Sequence, residues 1–383
     1  MWAVRVSKLF ALNAILNAVG GLSYPVIPLY LKGIGVGVEL TGLILSLLSL
    51  GTVISALVWG RLSDSPRRRG RVVVITCLGG FISFLLLSLP WPLELLVPLL
   101  FLANLLAFGV IPAVMASASE GEGVREEMGR FWMGASLGYS LATSVSGALL
   151  DRFGLQVIFQ ASAALMLPAL WVSRKLVMVP GRVEVQPPDP PRGIPKSFWL
   201  FAISAVIFLF TDVAKNLFVP VFYAYGLGTG DAFATATLSV EALLEIPVIF
   251  LFSRALAKFN CWSVFGLSFL LAAAFFLLNS AVFDRVSALL AMCTYALVWG
   301  SYSVSSSLLV SQIVGKGKRG TGYGVYNAAF PMANVAGPLY LGSVISRFGF
   351  REGLIYLSLP ELFTGVIVIL RQGRGPAVRR EGT

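Results

Sequence analysis

The chain has 383 residues, of which 57% are hydrophobic and 12% charged, with a formal net charge of +11 and a mean hydropathy of +0.84. A soluble domain carries about 25% charged residues, so this composition excludes a water-coated globule and makes lipid the solvent of most of the chain. In lipid every backbone N–H and C=O must be paired internally, which restricts the fold to helices or a closed barrel; unbroken apolar runs near the roughly 20 residues of a spanning helix select helices over short alternating strands.

The predicted spans run in order 8–31, 40–60, 71–89, 93–117, 131–150 and 154–173, then 197–223, 231–252, 262–282, 287–313, 321–345 and 353–371. The first run is long and is followed at once by further spans, so it reads as a membrane helix rather than a cleaved signal. Between the sixth and seventh spans lies VEVQPPDPPRGIP, whose prolines cannot continue a helix because each lacks an N–H and clashes with the preceding turn. The expected organisation is therefore an all-α integral membrane protein of twelve helices in two pseudo-symmetric six-helix halves. Residues 1–173 form the first half, 174–196 a cytoplasmic linker, 197–371 the second half and 372–383 a basic cytoplasmic tail.

Loop charge sets the expected orientation. The loops on the side of both termini hold 23 Lys and Arg, whereas the opposite loops hold only five: Lys32, Arg152, Arg285, Arg347 and Arg351. Basic loops stay in the cytoplasm, so both termini are expected inside, in a plasma-membrane protein. The positive charge is thus a matter of topology, and no nucleic-acid partner is expected. The halves also repeat: at an offset of 195, GALLDRFG (147–154) lies over GSVISRFG (342–349) and Gly129 over Gly324. Parallel six-span repeats are a known transporter architecture.

Histidine is absent, and Cys77, Cys261 and Cys293 lack paired spacing. Neither a metal site, a disulfide framework nor a cofactor is expected. The segment Gly315–Gly320 matches G-x-G-x-x-G but joins two apolar spans; a dinucleotide site needs a βαβ unit around it.

Ionisable groups inside the spans are few. Asp212, Lys215 and Asn216 lie in the seventh span, Glu241 and Glu245 in the eighth and Glu361 in the twelfth. Each charge costs about 2.5–3.5 kcal/mol at the bilayer centre, so such residues usually face a cavity and work. Asp212 and Lys215 share a helix face, as do Glu241 and Glu245. Counting 1.5 Å per residue from the short connecting loop puts Lys215 level with Glu241, and Asp212 and Glu245 one turn deeper. The expectation is two layers, Lys215 beside Glu241 and Asp212 beside Glu245. Three crowded carboxyls cannot all stay ionised beside one ammonium, which is what proton coupling requires; sodium coordination by the same groups is the alternative, and a pair that only fixes helix packing is a third reading. Asn13, Asn17 and Tyr24, Asn104, Trp132 and Tyr139, Tyr295, Trp299 and Tyr302, and Tyr326 and Asn327 are candidates to line a path. Gly20-Gly21 with Pro25, and Pro331 with Gly337-Pro338, suggest broken spans.

Between the second and third spans stands Gly60-Arg61-Leu62-Ser63-Asp64, followed by Arg67-Arg68-Arg69-Gly70-Arg71. With the twelve-span repeat, this resembles the major facilitator superfamily, whose corresponding loop carries Gly-x-Leu-x-Asp followed by Gly and basic residues. Here the second glycine comes three residues late. The resemblance implies a conformational latch at Gly60, Asp64 and Arg67, the arginines also holding the loop inside. Glu245-Ile-Pro247 resembles a Glu-x-Pro element of symporter-like branches, and the fifth span lacks the Gly-Pro motif of drug exporters. The expected function is a monomeric secondary transporter of a small solute, working by alternating access and coupled to protons. An efflux antiporter of the same fold, a membrane-embedded enzyme and a transporter-like sensor are the alternatives; no catalytic constellation supports the enzyme.

Overall fold

The computed structural model describes residues 2–63, 66–107, 110, 114, 124–177, 195–256, 258–313 and 315–371. In chain order the helices are α1 (Trp2–Ser23), α2 (Val26–Gly33), α3 (Val38–Ser63), α4 (Pro66–Leu87), α5 (Leu93–Ala107), α6 (Val124–Phe153) and α7 (Leu155–Val177). After the 178–194 segment come α8 (Lys196–Leu217), α9 (Asp231–Ala255), α10 (Cys261–Ser280), α11 (Arg285–Cys293), α12 (Tyr295–Ile313), α13 (Gly315–Phe348) and α14 (Phe350–Arg371).

Nine helical stretches among the described residues are long and apolar enough to cross a membrane, and α5 is a shorter apolar helix. The protein is a multi-pass membrane protein. Its surface shows the solvent: Leu43, Leu47, Leu50, Ile54 and Leu57 form an exposed stripe along α3, while Thr41 and Ser55 of the same helix are buried. The expected spans 131–150 and 321–345 are helical within α6 and α13 but are not among the nine, because they carry glycine, serine and alanine where the others carry leucine.

Helix breaks follow local chemistry. Pro25 separates α1 from α2, as its sequence suggests. By contrast, Pro331 and Pro338 sit inside a continuous α13, so the expected break there is not formed; neighbouring helices accommodate proline in membrane helices. A break also occurs between α11 and α12 at Thr294, without proline, where the Thr294 hydroxyl bonds the Ala291 carbonyl at 2.7 Å. Asp284 starts α11 with a capping box to Ser287, which holds its carboxyl below the usual carboxylate range.

Helices before 178–194 pack mainly on one another, α1 against α6 and α7, α4 against α5 and α7; those after it do likewise, α10 against α12 and α14, α8 against α13. Two seams join the groups: α6 against α9, and α3 against α13. The 195-residue repeat builds both. A methyl at Gly147 would lie 2.2 Å from the Asp231 carbonyl oxygen on α9, and one at Gly342 would lie 3.0 Å from the Val38 carbonyl oxygen on α3. Seven residues on, Gly154 and Gly349 end the two helices at φ of +79° and +87°, a left-handed backbone that glycine enters without steric cost. Both seams are tight at the end of the bundle remote from the 178–194 segment, here the distal end.

Among the described glycines the closest approach lies within the first group. A methyl at Gly138 would stand 1.8 Å from the Ala14 carbonyl oxygen of α1, whereas one at Gly20 meets nothing within 4 Å. Gly138→Ala is therefore expected to destabilise by at least about 1–3 kcal/mol through overpacking, and Gly20→Ala to leave stability level or slightly raised. Thermal unfolding of the two variants in detergent checks this; equal melting temperatures would refute the packing role of Gly138.

Candidate functional site

Of the charged side chains expected inside the spans, Asp212, Lys215, Glu241 and Glu245 gather beside the α6–α9 seam. The helix α8 stops at Leu217, three residues before Pro220, and the chain passes through a wider π turn at Phe222–Gly226 before α9 begins. Lys215 and Asn216 thus occupy the last turn of α8, beside the midsection of α9. Lys215 Nζ pairs with Glu241 Oε2 at 2.5 Å, with side chains 4% and 0% exposed. The ammonium also lies 4.6 Å from the centre of the Tyr295 ring and 5.9 Å from that of Tyr139, whose faces attract a cation.

The second expected layer is not formed. Asp212 accepts the Tyr295 hydroxyl on Oδ1 at 2.8 Å, and Glu245 accepts the Ser136 hydroxyl on Oε2 at 2.5 Å. Depth counting placed Asp212 and Glu245 level but carried no information on azimuth. In the fold Asp212 turns toward α12, and Glu245 turns across the seam toward α6. Asn216 bridges the groups: its amide donates to the Asp212 carbonyl at 3.0 Å and its Oδ1 accepts the Tyr139 hydroxyl at 3.0 Å. One turn toward the distal end from Ser136, Ser140 donates to the Ser239 carbonyl at 2.8 Å.

All four ionisable members are buried. Three carboxyls and one ammonium sum to −2 if fully ionised. At the low effective dielectric of such a site that imbalance is costly, and it is set directly on a contact between helix groups.

Sequence reasoning missed Ser136 and Asn334. The latter accepts the Tyr24 hydroxyl at 2.5 Å, again joining the two groups. Both lie in small-residue stretches, Gly134–Gly138 and Ala333–Gly337, and that spacing was the available signal for a close-packed helix face.

The other candidates are scattered. Asn13 donates to the Phe131 carbonyl at 2.8 Å and Asn17 to Asn13 Oδ1 at 3.0 Å, so both tie α1 to itself and to α6. Trp132 stands edge-on to Trp299 across the groups, with ring centres 5.7 Å apart, and its Nε1 is buried without an acceptor among the described residues. Tyr302 stacks on Phe208 at 3.6 Å, and Tyr326 shares a 2.9 Å hydrogen bond with Ser306; both belong to packing inside the second group. Asn104 donates to the Leu100 carbonyl at 2.8 Å, a bond within its own helix. Glu361 is fully buried in α14, away from the seam. Asp64 lies outside the described residues, as do the surroundings of Gly60 and Arg67 and the side chain of Asn327.

Residues 9–338 match the sequence profile of the Major Facilitator Superfamily. The chain belongs to that family. Its fold is shared with solved transporters. A POT family transporter bound to a thioalcohol-conjugated peptide superposes with a TM-score of 0.82 at 13% identity, covering 96% of each chain. The nucleoside transporter NupG, solved as a mutant, gives 0.78 at 14% identity over 95% of this chain and 99% of that one. The human organic anion transporter MFSD10 gives 0.74 at 16% identity over 95% and 98%. Comparison with curated protein sequences yields no match. The superfamily and these structural neighbours are transporters, not enzymes.

In this member of the Major Facilitator Superfamily the Lys215–Glu241 pair is buried, with side chains 4% and 0% exposed. Removing one partner leaves a bare buried charge, which costs on the order of 3–5 kcal/mol, whereas replacing both by apolar groups of similar volume is often neutral. Lys215→Met and Glu241→Met are each expected to lower the melting temperature strongly, and the double variant to recover most of the loss. A double variant as unstable as the sum of the singles would show that the two charges are not coupled.

Proposed function

We propose that this protein is a secondary transporter that carries a small solute across the plasma membrane by alternating access, with a proton bound at the Asp212–Lys215–Glu241–Glu245 cluster as the coupling ion. One observation carries the reading: a buried cluster with more carboxyls than cations sits on the seam between the helix groups, and Ser136 and Tyr139 reach it from the opposite group. Adding or removing a proton there changes the electrostatic energy of the contact that must part when the groups rock. The family supplies the transporter fold; the charge imbalance supplies a reason for coupling.

In this reading the chain forms twelve spans in two six-helix halves, residues 1–173 and 197–371. The basic loops place the linker and both termini in the cytoplasm. The tight distal ends of both seams then correspond to a state closed toward the outside. Lys215 is the group suited to draw an anionic or carboxylate-bearing solute once its own partner acid is protonated. The Nε1 of Trp132, one helical turn from Ser136 on α6 and without an acceptor among the described residues, offers a further donor. A POT family neighbour is solved with 5-aminolevulinic acid, and another neighbour is an organic anion transporter; both bear on this choice of solute only through the shared fold.

The test uses protein reconstituted in liposomes and solutes selected by a thermal-shift screen. Asp212→Asn and Glu245→Gln are expected to abolish accumulation driven by a pH gradient, while exchange of solute at equal pH persists. Accumulation at the native level in both variants would overturn proton coupling at this cluster, and accumulation driven by sodium alone would replace the proton with sodium.

A further inference from the structure

At the distal end of the α6–α9 seam a second pair of acids meets across the helix groups. Asp151, in the last turn of α6, accepts the backbone N–H of Ala232 on Oδ2 at 3.2 Å, so a carboxyl of the first group caps the first turn of a helix in the second. The residue before Ala232 is Asp231, so its carboxyl and that of Asp151, which is exposed, stand at the same helix start. Asp231 is only 6% exposed, and its Oδ1 is buried without a donor among the described residues. Its Oδ2 lies 3.5 Å from the Tyr225 hydroxyl, which also lies 3.3 Å from the Leu29 carbonyl oxygen of α2.

The pairing is not a demand of the fold. The repeat places Gly342 where the other seam has Gly147, and the same offset puts Ser346 in the place of Asp151. Opposite Gly342 stands Val38, where Gly147 meets Asp231. One seam therefore closes with serine and valine, the neighbouring Glu39 being exposed, and the other with two acids. Two carboxylates in contact repel, whereas a carboxylic acid and a carboxylate form a short, strong O–H···O⁻ bond.

We propose that Asp151 and Asp231 form a proton-controlled latch on the distal gate, holding the seam shut when they share one proton and releasing it when both ionise. The proton comes from the aqueous phase at that end and returns to it on opening. On the closed gate the acid of Asp231 donates to the Asp151 carboxylate, which also accepts Ala232 N–H. The charged and titratable groups around the pair are few. Arg152 follows Asp151 and is exposed, Lys32 ends α2, and Tyr225 is described above. Arg285 of α11 is committed to the Thr229 carbonyl at 3.1 Å and to the Phe233 ring. Neither carboxyl forms an ion pair among the described residues. The sign follows from linkage: the closed gate binds one proton more than the open one, so raising pH opens it, by up to about tenfold in the open-to-closed ratio per pH unit.

The inference rests on the alternating-access reading, and the experiment separates the two. In a chain freed of Cys77, Cys261 and Cys293, spin labels at Phe153→Cys and Phe283→Cys, 61% and 76% exposed, report the distal gate. Labels at Trp171→Cys and Phe259→Cys report the opposite end. Distances are measured by pulsed electron paramagnetic resonance from about pH 5 to 9, in the native pair and in Asp231→Asn, whose amide keeps a donor for Asp151. Asp151→Asn serves as the second variant. The native pair is expected to open distally as pH rises, while both variants stay closed at alkaline pH. Variants that open as the native pair does overturn the latch and leave alternating access standing. Distances that move at neither end overturn both.

Discussion

Lipid gives helices no hydrophobic reason to associate, so the bundle depends on how closely backbones approach. That constraint explains where this chain puts its small residues. Gly147 and Gly342 let α6 and α13 come against the first turns of α9 and α3, within distances that any side chain would obstruct. Gly138 does the same for α6 and α1. The two seams are sequence repeats of one another, and each carries a glycine at the contact and another at the helix end seven residues later.

Close approach at the distal end also governs the chemistry further down the seam. With α6 and α9 held together there, Ser140 reaches the Ser239 carbonyl, and Ser136 reaches Glu245 across from it. The carboxyl of Glu245 is about 21 Å along α9 from its start, at 1.5 Å per residue. The seam is thus a ladder of polar contacts between groups that are leucine-rich outside. Its acids stand at two levels, at the distal gate and beside Lys215; at the first Asp151 crosses to Ala232, and at the second Ser136 crosses to Glu245. Polar groups confined to such contacts are the ones whose energies change when the groups separate.

Much of the fold was legible from residues alone. Apolar runs located most of the helices, Pro25 marked a break, and the offset of 195 aligned the two helices whose glycines build the seams. The pairing of Lys215 with Glu241 followed from counting depth along two antiparallel helices. Counting failed for Asp212 and Glu245 because depth says nothing about the direction a side chain takes around its helix. It failed for Pro331 and Pro338 because a proline break depends on whether neighbouring helices support the freed carbonyls. Tyr302 and Tyr326, plausible as lining residues, pack inside the second helix group instead.

By itself the sequence determined the solvent, the class of fold and the inventory of buried charge, since these depend on composition and on spacing along one chain. Tertiary structure alone decided which partners the remaining acids reach, because that depends on the rotation of each helix and on contacts between residues about 80 to 110 positions apart, such as Asp151 with Ala232 and Ser136 with Glu245. The acids of the α6–α9 seam became a site only when a glycine allowed two helices to touch.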